Sequence, residues 1–283
     1  MTDTIFHIKK TWNLQGVIRR LDQPMVMGII NTTPDSFYNE SRRNGKVQLL
    51  SGVEKMVEEG VDIIDIGGYS SRPGAAEISV EEELKRVIPA VKSVVKRFPG
   101  VMLSVDTFRA EVARAAVDQG VQIINDISGG ESDPDMFDTV ASLKVPYILM
   151  HMRGKPHNMH QFTDYEDVVM DIINYFQEKI KKLKNLGVND VILDPGFGFA
   201  KTLEQNYEIL KKLSYFDVLN LPVLVGISRK SMIYKKLGVS AAEALNGTSV
   251  LHAMALMQGA MILRVHDVKE AKEAVLLFQE VFK

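Results

Sequence analysis

The chain has 283 residues, 46% of them hydrophobic and 25% charged, with a formal net charge of −2 and no cysteine. That balance describes a globular protein with ample core; it gives no sign of a general nucleic-acid or anionic-membrane surface, and it excludes thiol catalysis, disulfides and thiolate metal sites. No apolar stretch approaches the roughly 18 to 20 residues needed to span a bilayer, and the opening MTDTIFHIKK lacks a signal-peptide core, so a cytoplasmic protein is expected.

Residues 1–24 stand apart as a short N-terminal extension. Within it, Trp12, Leu14, Val17 and Ile18 around Gly16 suggest a hairpin plugging the bottom of whatever follows. From Met25 onward one pattern repeats: a short apolar run ends on a polar residue able to do chemistry. Met25–Ile30 ends at Asn31, Val61–Ile64 at Asp65, Val101–Val105 at Asp106, and Val121–Ile124 at Asn125 and Asp126. Pro146–Met150 ends at His151, Val191–Leu193 at Asp194, Pro222–Ile227 at Ser228, Arg229 and Lys230, and Ala260–Leu263 at Arg264 and His266. Val- and Ile-rich runs of this length read as strands buried on both faces, as a parallel sheet requires. Eight of them, separated mostly by segments long enough for a helical crossover, predict a single-domain (β/α)8 TIM barrel over residues 25–283.

The intervening helices are marked by their ends. Gly60, Gly120, Gly187 and Gly259 each precede a predicted strand, where a left-handed residue stops a helix. Ser79 with Glu82 reads as a capping box opening a helix over Val80–Arg97, and Asp133 with Pro134 as an N-cap followed by proline at the first helical position. Asp164–Asn185 carries apolar residues at helical spacing, and its Lys179, Lys181, Lys182 and Lys184 read as a solvated face. The segments Asn31–Gly45 and Gly67–Ala76 are polar and rich in turn formers, placing two surface loops over one mouth.

Polar residues at the C-terminal tips of barrel strands converge on that mouth. Asp106, Asn125 and Asp194 suit a flat heterocycle whose edge carries N–H groups, because a carboxylate accepts parallel N–H bonds as it does from a guanidinium. The alternative, that each merely caps the next helix, is reasonable for one of them and poor for the set. Asn31, Arg72, Lys230, Arg264 and His266 gather donors and positive charge suited to phosphate oxygens, and Ser228–Ser231 lies where barrels often bind phosphate. Arg229 fits a surface role equally well. His151, His157 and His160 lack helical metal-ligand spacing; His252 and the Met254–Met257 stretch read as packing on an apolar helix. Lys230 in basic surroundings keeps a Schiff-base reading open.

The segments MGIINTTPDSF, IDIGGYSSRPGA, SVDTFR, INDISGG, ILMHMRG, LDPGFGFAK, GISRKSMI and RVHDV, in order from Met27 to Val268, resemble the dihydropteroate synthases of folate biosynthesis, the targets of sulfonamides. The resemblance implies a dissociative condensation of 6-hydroxymethyl-7,8-dihydropterin diphosphate with 4-aminobenzoate. It implies that Asp106, Asn125, Asp194 and Lys230 bind the pterin, with Arg264 across one pterin face. Asn31, Arg72, Arg264 and His266 would hold the diphosphate, Asn31 also ligating Mg²⁺. Pro34, Phe37, Ser71, Pro73, Phe199, Ser228 and the Lys230 stem would meet aminobenzoate, while Asp35 would stabilise charge developing on the pterin methylene. It further implies a homodimer through barrel-flanking helices. Tyr69 stands where the family commonly has Glu, Ser71 where it has Thr, and the first loop continues as YNESRR rather than the commoner short DGG. A related methyltetrahydrofolate methyltransferase would share the Asp and Asn contacts but need no diphosphate clamp. A non-catalytic pterin-binding protein would have lost Asn31, Asp35, Arg72, Arg264 and His266, all present here.

Overall fold

The computed structural model describes residues 11–14, 16–32, 42–69 and 78–282. Strands β1 (Thr11–Leu14) and β2 (Val17–Arg20) form an antiparallel hairpin. Gly16 turns it with φ +94°, a conformation glycine adopts without steric cost, and its N–H donates to Asn13 Oδ1 at 2.6 Å.

Eight parallel strands then close a barrel in sequence order: β3 (Met25–Asn31), β4 (Ile63–Gly67), β5 (Met102–Asp106), β6 (Ile123–Asp126), β7 (Tyr147–Met150), β8 (Val191–Asp194), β9 (Val223–Val225) and β10 (Ala260–Val265), with β10 bonded back to β3. The helices α1 (Arg42–Glu58), α2 (Val80–Arg97), α3 (Ala110–Val117), α4 (Met136–Leu143), α5 (Val168–Asn185) and α6 (Leu203–Lys211) fill successive crossovers. Two helices, α7 (Ser231–Leu237) and α8 (Leu245–Met257), share the crossover before β10, and α9 (Val268–Val281) ends the fold. This is the (β/α)8 barrel that the eight apolar runs predict. Among the described residues no helix is long and apolar enough to cross a membrane.

Alternation along each strand divides its side chains between two cores. Outward residues such as Ile64, Val105, Ile124, Leu193 and Val265 pack with the helices, including Val91, Ile172 and Val275. Inward residues form a second cluster of Met25, Met27, Ile63, Met102, Ile123, Ile148, Ile192, Leu224 and Ile262, and Trp12, Leu14 and Leu21 from the hairpin segment pack with it. Trp12 is 1% exposed, and Asn13 N–H donates to Asp190 Oδ2 at 3.3 Å just before β8.

The helix ends agree with the sequence in part. Gly60, Gly120, Gly187 and Gly259 all take positive φ, from +84° to +101°. Ser79 Oγ accepts from Glu82 N–H at 3.2 Å, but the Glu82 carboxylate turns to Arg86 Nε at 2.9 Å, so only half of the expected box forms. The complete box lies elsewhere, at Thr202 and Gln205 opening α6. Asp133 does not cap α4, which starts at Met136 after Asp135. Its Oδ1 accepts from Asp135 N–H at 3.0 Å in the turn that leads into α4, while its Oδ2 accepts from Ala110 N–H at 2.7 Å, satisfying the first free amide of α3. Helix α5 begins at Val168 behind the N-cap Asp167, later than expected, because Asp167 accepts from both Val169 and Met170 amides. Lys179 leaves the solvated face assigned to it: 12% exposed, it pairs with Glu131 at 3.1 Å and lies over the Phe137 and Tyr175 rings. On α8, His252, Ala255 and Leu256 are buried as expected, whereas Met254 and Met257 at the ends of the same stretch are 49% and 64% exposed.

Candidate active site

The strand register assembles the mouth. Asn31 pairs with Gly67, Gly67 with Asp106, and Asp106 with Asn125, so these four adjacent strand positions share one level. Met150 pairs with Asp194 across β7 and β8. Asp106, Asn125, Asp194 and Arg264 project from the inward faces of their strands, the last three directly above Ile123, Ile192 and Ile262 of the inner apolar cluster and Asp106 above the buried Ser104. Asp126, beside Asn125, points outward. It accepts from Tyr147 Oη at 2.6 Å, from the amide and hydroxyl of Ser128 at 2.7 Å each, and from Gly130 N–H at 2.8 Å, so it organises a loop rather than the mouth.

Asp65 is the connecting group. Fully buried on β4, its Oδ2 accepts from Asn125 Nδ2 at 2.9 Å and from Arg264 Nε at 2.7 Å. Arg264 Nη2 donates to Asp106 Oδ2 at 2.6 Å. Burial opposes the Arg264 charge, but the two carboxylates more than compensate and hold its proton above the ordinary range. Burial pushes Asp106 up to about 7, with Arg264 pulling the other way, and raises Asp194, with Lys230 opposing. These bonds leave defined acceptors. With Nδ2 committed to Asp65, Asn125 presents its amide oxygen; Asp106 Oδ1 and Asp194 Oδ2 receive nothing from a described residue, Asp194 Oδ1 being taken by Gly196 N–H at 2.8 Å. Three acceptors at one barrel mouth match a heterocycle edge rich in N–H donors.

Cationic groups surround those acceptors. Lys230 Nζ donates to Phe197 O at 2.5 Å and lies 4.8 Å from the Phe199 ring centroid; burial brings its amine down to about 8, with Asp194 opposing. Ser228 Oγ lies 3.1 Å from His266 Nδ1 and accepts from the His266 amide at 3.2 Å, tying the end of β9 to the end of β10. Arg229 is neither a free surface residue nor an anion ligand. At φ +52° it forks onto Asp267 at 2.8 and 2.9 Å and donates to the carbonyls of Ala241 and Ala242. A small apolar cluster of Ile127, Met150, Met152, Met159 and Ala200, with Phe108 and Phe199 against it, flanks the same strand ends. The structure thus brings together Asn31, Asp106, Asn125, Asp194, Phe199, Ser228, Lys230, Arg264 and His266. Pro34, Asp35, Phe37, Ser71, Arg72 and Pro73 lie outside the described residues.

Asp65 stands among the strand-tip residues in the sequence but not among the predicted pterin or diphosphate contacts. It ends an apolar run like the others, and its inward phase, two residues beyond Ile63 on the same strand, was the available signal. His151, read as an unlikely metal ligand, is buried with Nδ1 3.1 Å from Lys201 Nζ.

This geometry agrees with comparisons to known proteins. The family model described as pterin binding enzyme matches residues 27–266. The dihydropteroate synthase of Escherichia coli strain K12 is 46% identical over 263 residues, 92% of this chain and 93% of that one. A crystal structure of the Yersinia pestis dihydropteroate synthase with a sulfonamide drug superimposes with a TM-score of 0.89 at 42% identity, covering 96% of this chain and 99% of that one. The Xanthomonas albilineans dihydropteroate synthase with 4-aminobenzoic acid gives 0.89 at 39% identity, with coverage of 96% and 98%. Acceptors for a pterin edge, cations beside them and likeness over nearly the whole length converge: the chain belongs to the dihydropteroate synthase family of pterin-binding enzymes.

Proposed function

We propose that the chain joins 6-hydroxymethyl-7,8-dihydropterin diphosphate to 4-aminobenzoate, releasing pyrophosphate, by a dissociative route. The observation that carries this reading is the Asp65, Asn125, Asp106 and Arg264 network, which fixes carboxylate and amide acceptors and a guanidinium in one bonded unit at the barrel mouth. In this reading Asp106, Asn125, Asp194 and Lys230 hold the pterin. Arg264 and His266, with Arg72 and Asn31, draw on the diphosphate. The methylene C–O bond breaks with its electron pair leaving on pyrophosphate; the pterin ring spreads the resulting positive charge, with Asp35 stabilising it. The aniline nitrogen then forms the C–N bond and loses a proton. Pro34, Phe37, Ser71, Pro73, Phe199 and Ser228, with the Lys230 stem, hold aminobenzoate and exclude water from the cation. A clearly normal secondary isotope effect from deuterium at the pterin methylene is expected; an effect near unity would favour direct displacement.

Asn31 also fits a role beside Mg²⁺. Its side-chain amide takes no hydrogen bond from a described residue, which leaves its oxygen available to a hard cation that keeps substrate phosphate oxygens as its other ligands. Bound there, the ion would neutralise charge on the leaving diphosphate. The proposed homodimer finds support in an apolar stripe on the flanking helices: Val250, Met254 and Met257 on α8 and Leu277 and Val281 on α9 are 47% to 73% exposed. Met257→Glu should turn a dimer into monomer in sedimentation. A diphosphate ester that does not cross membranes unaided suits a cytoplasmic site.

A further inference from the structure

Residues 195–201, between β8 and α6, follow an unusual path. Gly196, Gly198 and Ala200 all lie in the left-handed region, at φ +72°, +80° and +50°, the last disfavoured for a residue with a Cβ. The loop also presses hard against the end of β7: a Cβ placed on Gly196 would lie 2.1 Å from His151 O. Such a conformation persists only when its surroundings over-determine it.

The surroundings converge on Lys201. Its Nζ donates to Phe199 O at 2.9 Å, Gly196 O at 3.0 Å and His151 O at 3.4 Å, and lies 3.1 Å from His151 Nδ1. The residue is 8% exposed. Three buried carbonyl oxygens facing one point repel each other unless a donor stands between them, and this amine is that donor. The end of β7 and the loop after β8 are therefore joined at one nitrogen.

The same loop supports two groups of the site. Gly196 N–H holds Asp194 Oδ1 at 2.8 Å, and Phe197 O holds Lys230 Nζ at 2.5 Å. Phe199 lies beneath that ammonium. We propose that Lys201 is a positioning residue for the reaction, its buried amine bracing this strained loop against His151 so that Asp194 and Lys230 keep the geometry that receives the pterin. The inference rests on the assignment of Asp194 and Lys230 to the pterin. Lys201 itself touches neither substrate nor reacting atoms.

Burial brings the Lys201 amine down to about 7, with Asp194 opposing and Lys230 and Arg153 adding to the fall. The brace survives loss of a proton. Ammonium and amine alike carry the two hydrogens that Gly196 O and Phe199 O need, while His151 Nδ1 accepts from the first or donates to the lone pair of the second. On the outer side, Tyr165 Oη donates to Ala200 O at 3.0 Å and Gln205 Nε2 to Thr163 O at 2.8 Å, a second and more exposed tie between the same two segments.

The chain contains no cysteine, which makes a direct test available. Lys201→Cys introduces a single thiol. Unfolded, it is alkylated with 2-bromoethylamine, which rebuilds a side chain of lysine length ending in an amine, or with propyl iodide, which rebuilds the length without the amine. Refolded wild-type protein carried through the same steps is the reference. The propyl form should lose about 10-fold to 100-fold in kcat/KM for the pterin diphosphate, with the larger share in its KM rather than that of aminobenzoate. The aminoethyl form should recover to within about threefold of the reference. Equal activity of the two alkylated forms, or no loss in either, would overturn the proposal. Lys201→Met, folded in the cell, gives a second reading, and a fall in kcat alone with both KM values unchanged would count against the brace. An Asp194→Asn variant run alongside separates the two claims: if it is as active as wild type, the pterin assignment fails first; if it is impaired while the Lys201 variants are not, only the brace fails.

Discussion

The lower and upper levels of the barrel interior come from the same strands yet carry opposite chemistry. On β8, Ile192 and Asp194 face inward two residues apart; on β6, Ile123 and Asn125 do the same, and on β10, Ile262 and Arg264. The lower member of each pair packs with Trp12 and Leu14 in a sealed apolar layer. The upper member belongs to the polar set joined through Asp65 or facing it. A strand period of two makes this division possible, since one step of two residues moves a side chain from supporting the barrel to facing the ligand without changing its direction. The barrel can therefore be weakened or disarmed separately.

The largest effect should come from crossing those levels on one strand. Asp194→Asn is expected to lower kcat/KM by about 10² to 10⁴, because an amide in place of a buried acceptor leaves one N–H pair unmatched. The thermal midpoint should hardly move. Ile192→Ala should do the reverse, costing about 2–5 kcal/mol of stability while leaving the turnover of folded protein near normal. Steady-state kinetics with thermal melts on both variants would break the comparison if either crossed over.

Arg264→Lys comes next, with an expected loss of about 10²-fold. Lysine keeps the charge but cannot reach Asp65 and Asp106 from two nitrogens at once, as Nε and Nη2 now do at 2.7 and 2.6 Å. Near-normal kcat would separate the guanidinium from the leaving group.

A smaller effect follows pH. Lys230, brought down by burial to about 8, should lose its proton as pH rises through that value, giving kcat/KM an alkaline limb that Lys230→Arg moves upward. Stability has the opposite sign. Between about 8 and the unfolded value near 10.4, the unfolded chain binds the proton more strongly, so this group's contribution to folding improves with pH. Lys201, brought down to about 7, acts in the same direction. Paired profiles of activity and unfolding free energy should therefore diverge above pH 8; parallel decline would assign the limb to loss of structure.

Much of this was legible in the sequence, for reasons specific to parallel barrels. Strands buried on both faces must be short apolar runs, and functional side chains must follow at their tips, which located Asp106, Asn125, Asp194, Lys230 and Arg264 directly. What resisted reading was direction and distance. Asp126 and Asn125 share a tip, and only the pleat sends one outward to Tyr147 and the other inward to Asp65. Lys201 follows a glycine-rich segment, and nothing local shows that three carbonyls from two chain segments close around it. Asp133 reads as the cap of its own helix, and beside its local bond to Asp135 it also holds Ala110 of a helix before it in the chain. Lys179 looks like its neighbouring lysines but meets Glu131 and two aromatic rings across a packed face. Each of these depends on a partner distant in sequence, which periodicity does not encode.

The most direct measurement of the central claim is product formation by the purified protein given 6-hydroxymethyl-7,8-dihydropterin diphosphate, 4-aminobenzoate and Mg²⁺, followed as both pyrophosphate and dihydropteroate. Equal amounts of the two products, with dihydropteroate dependent on aminobenzoate, are expected. Folded protein that binds the pterin diphosphate but forms no dihydropteroate would contradict the account.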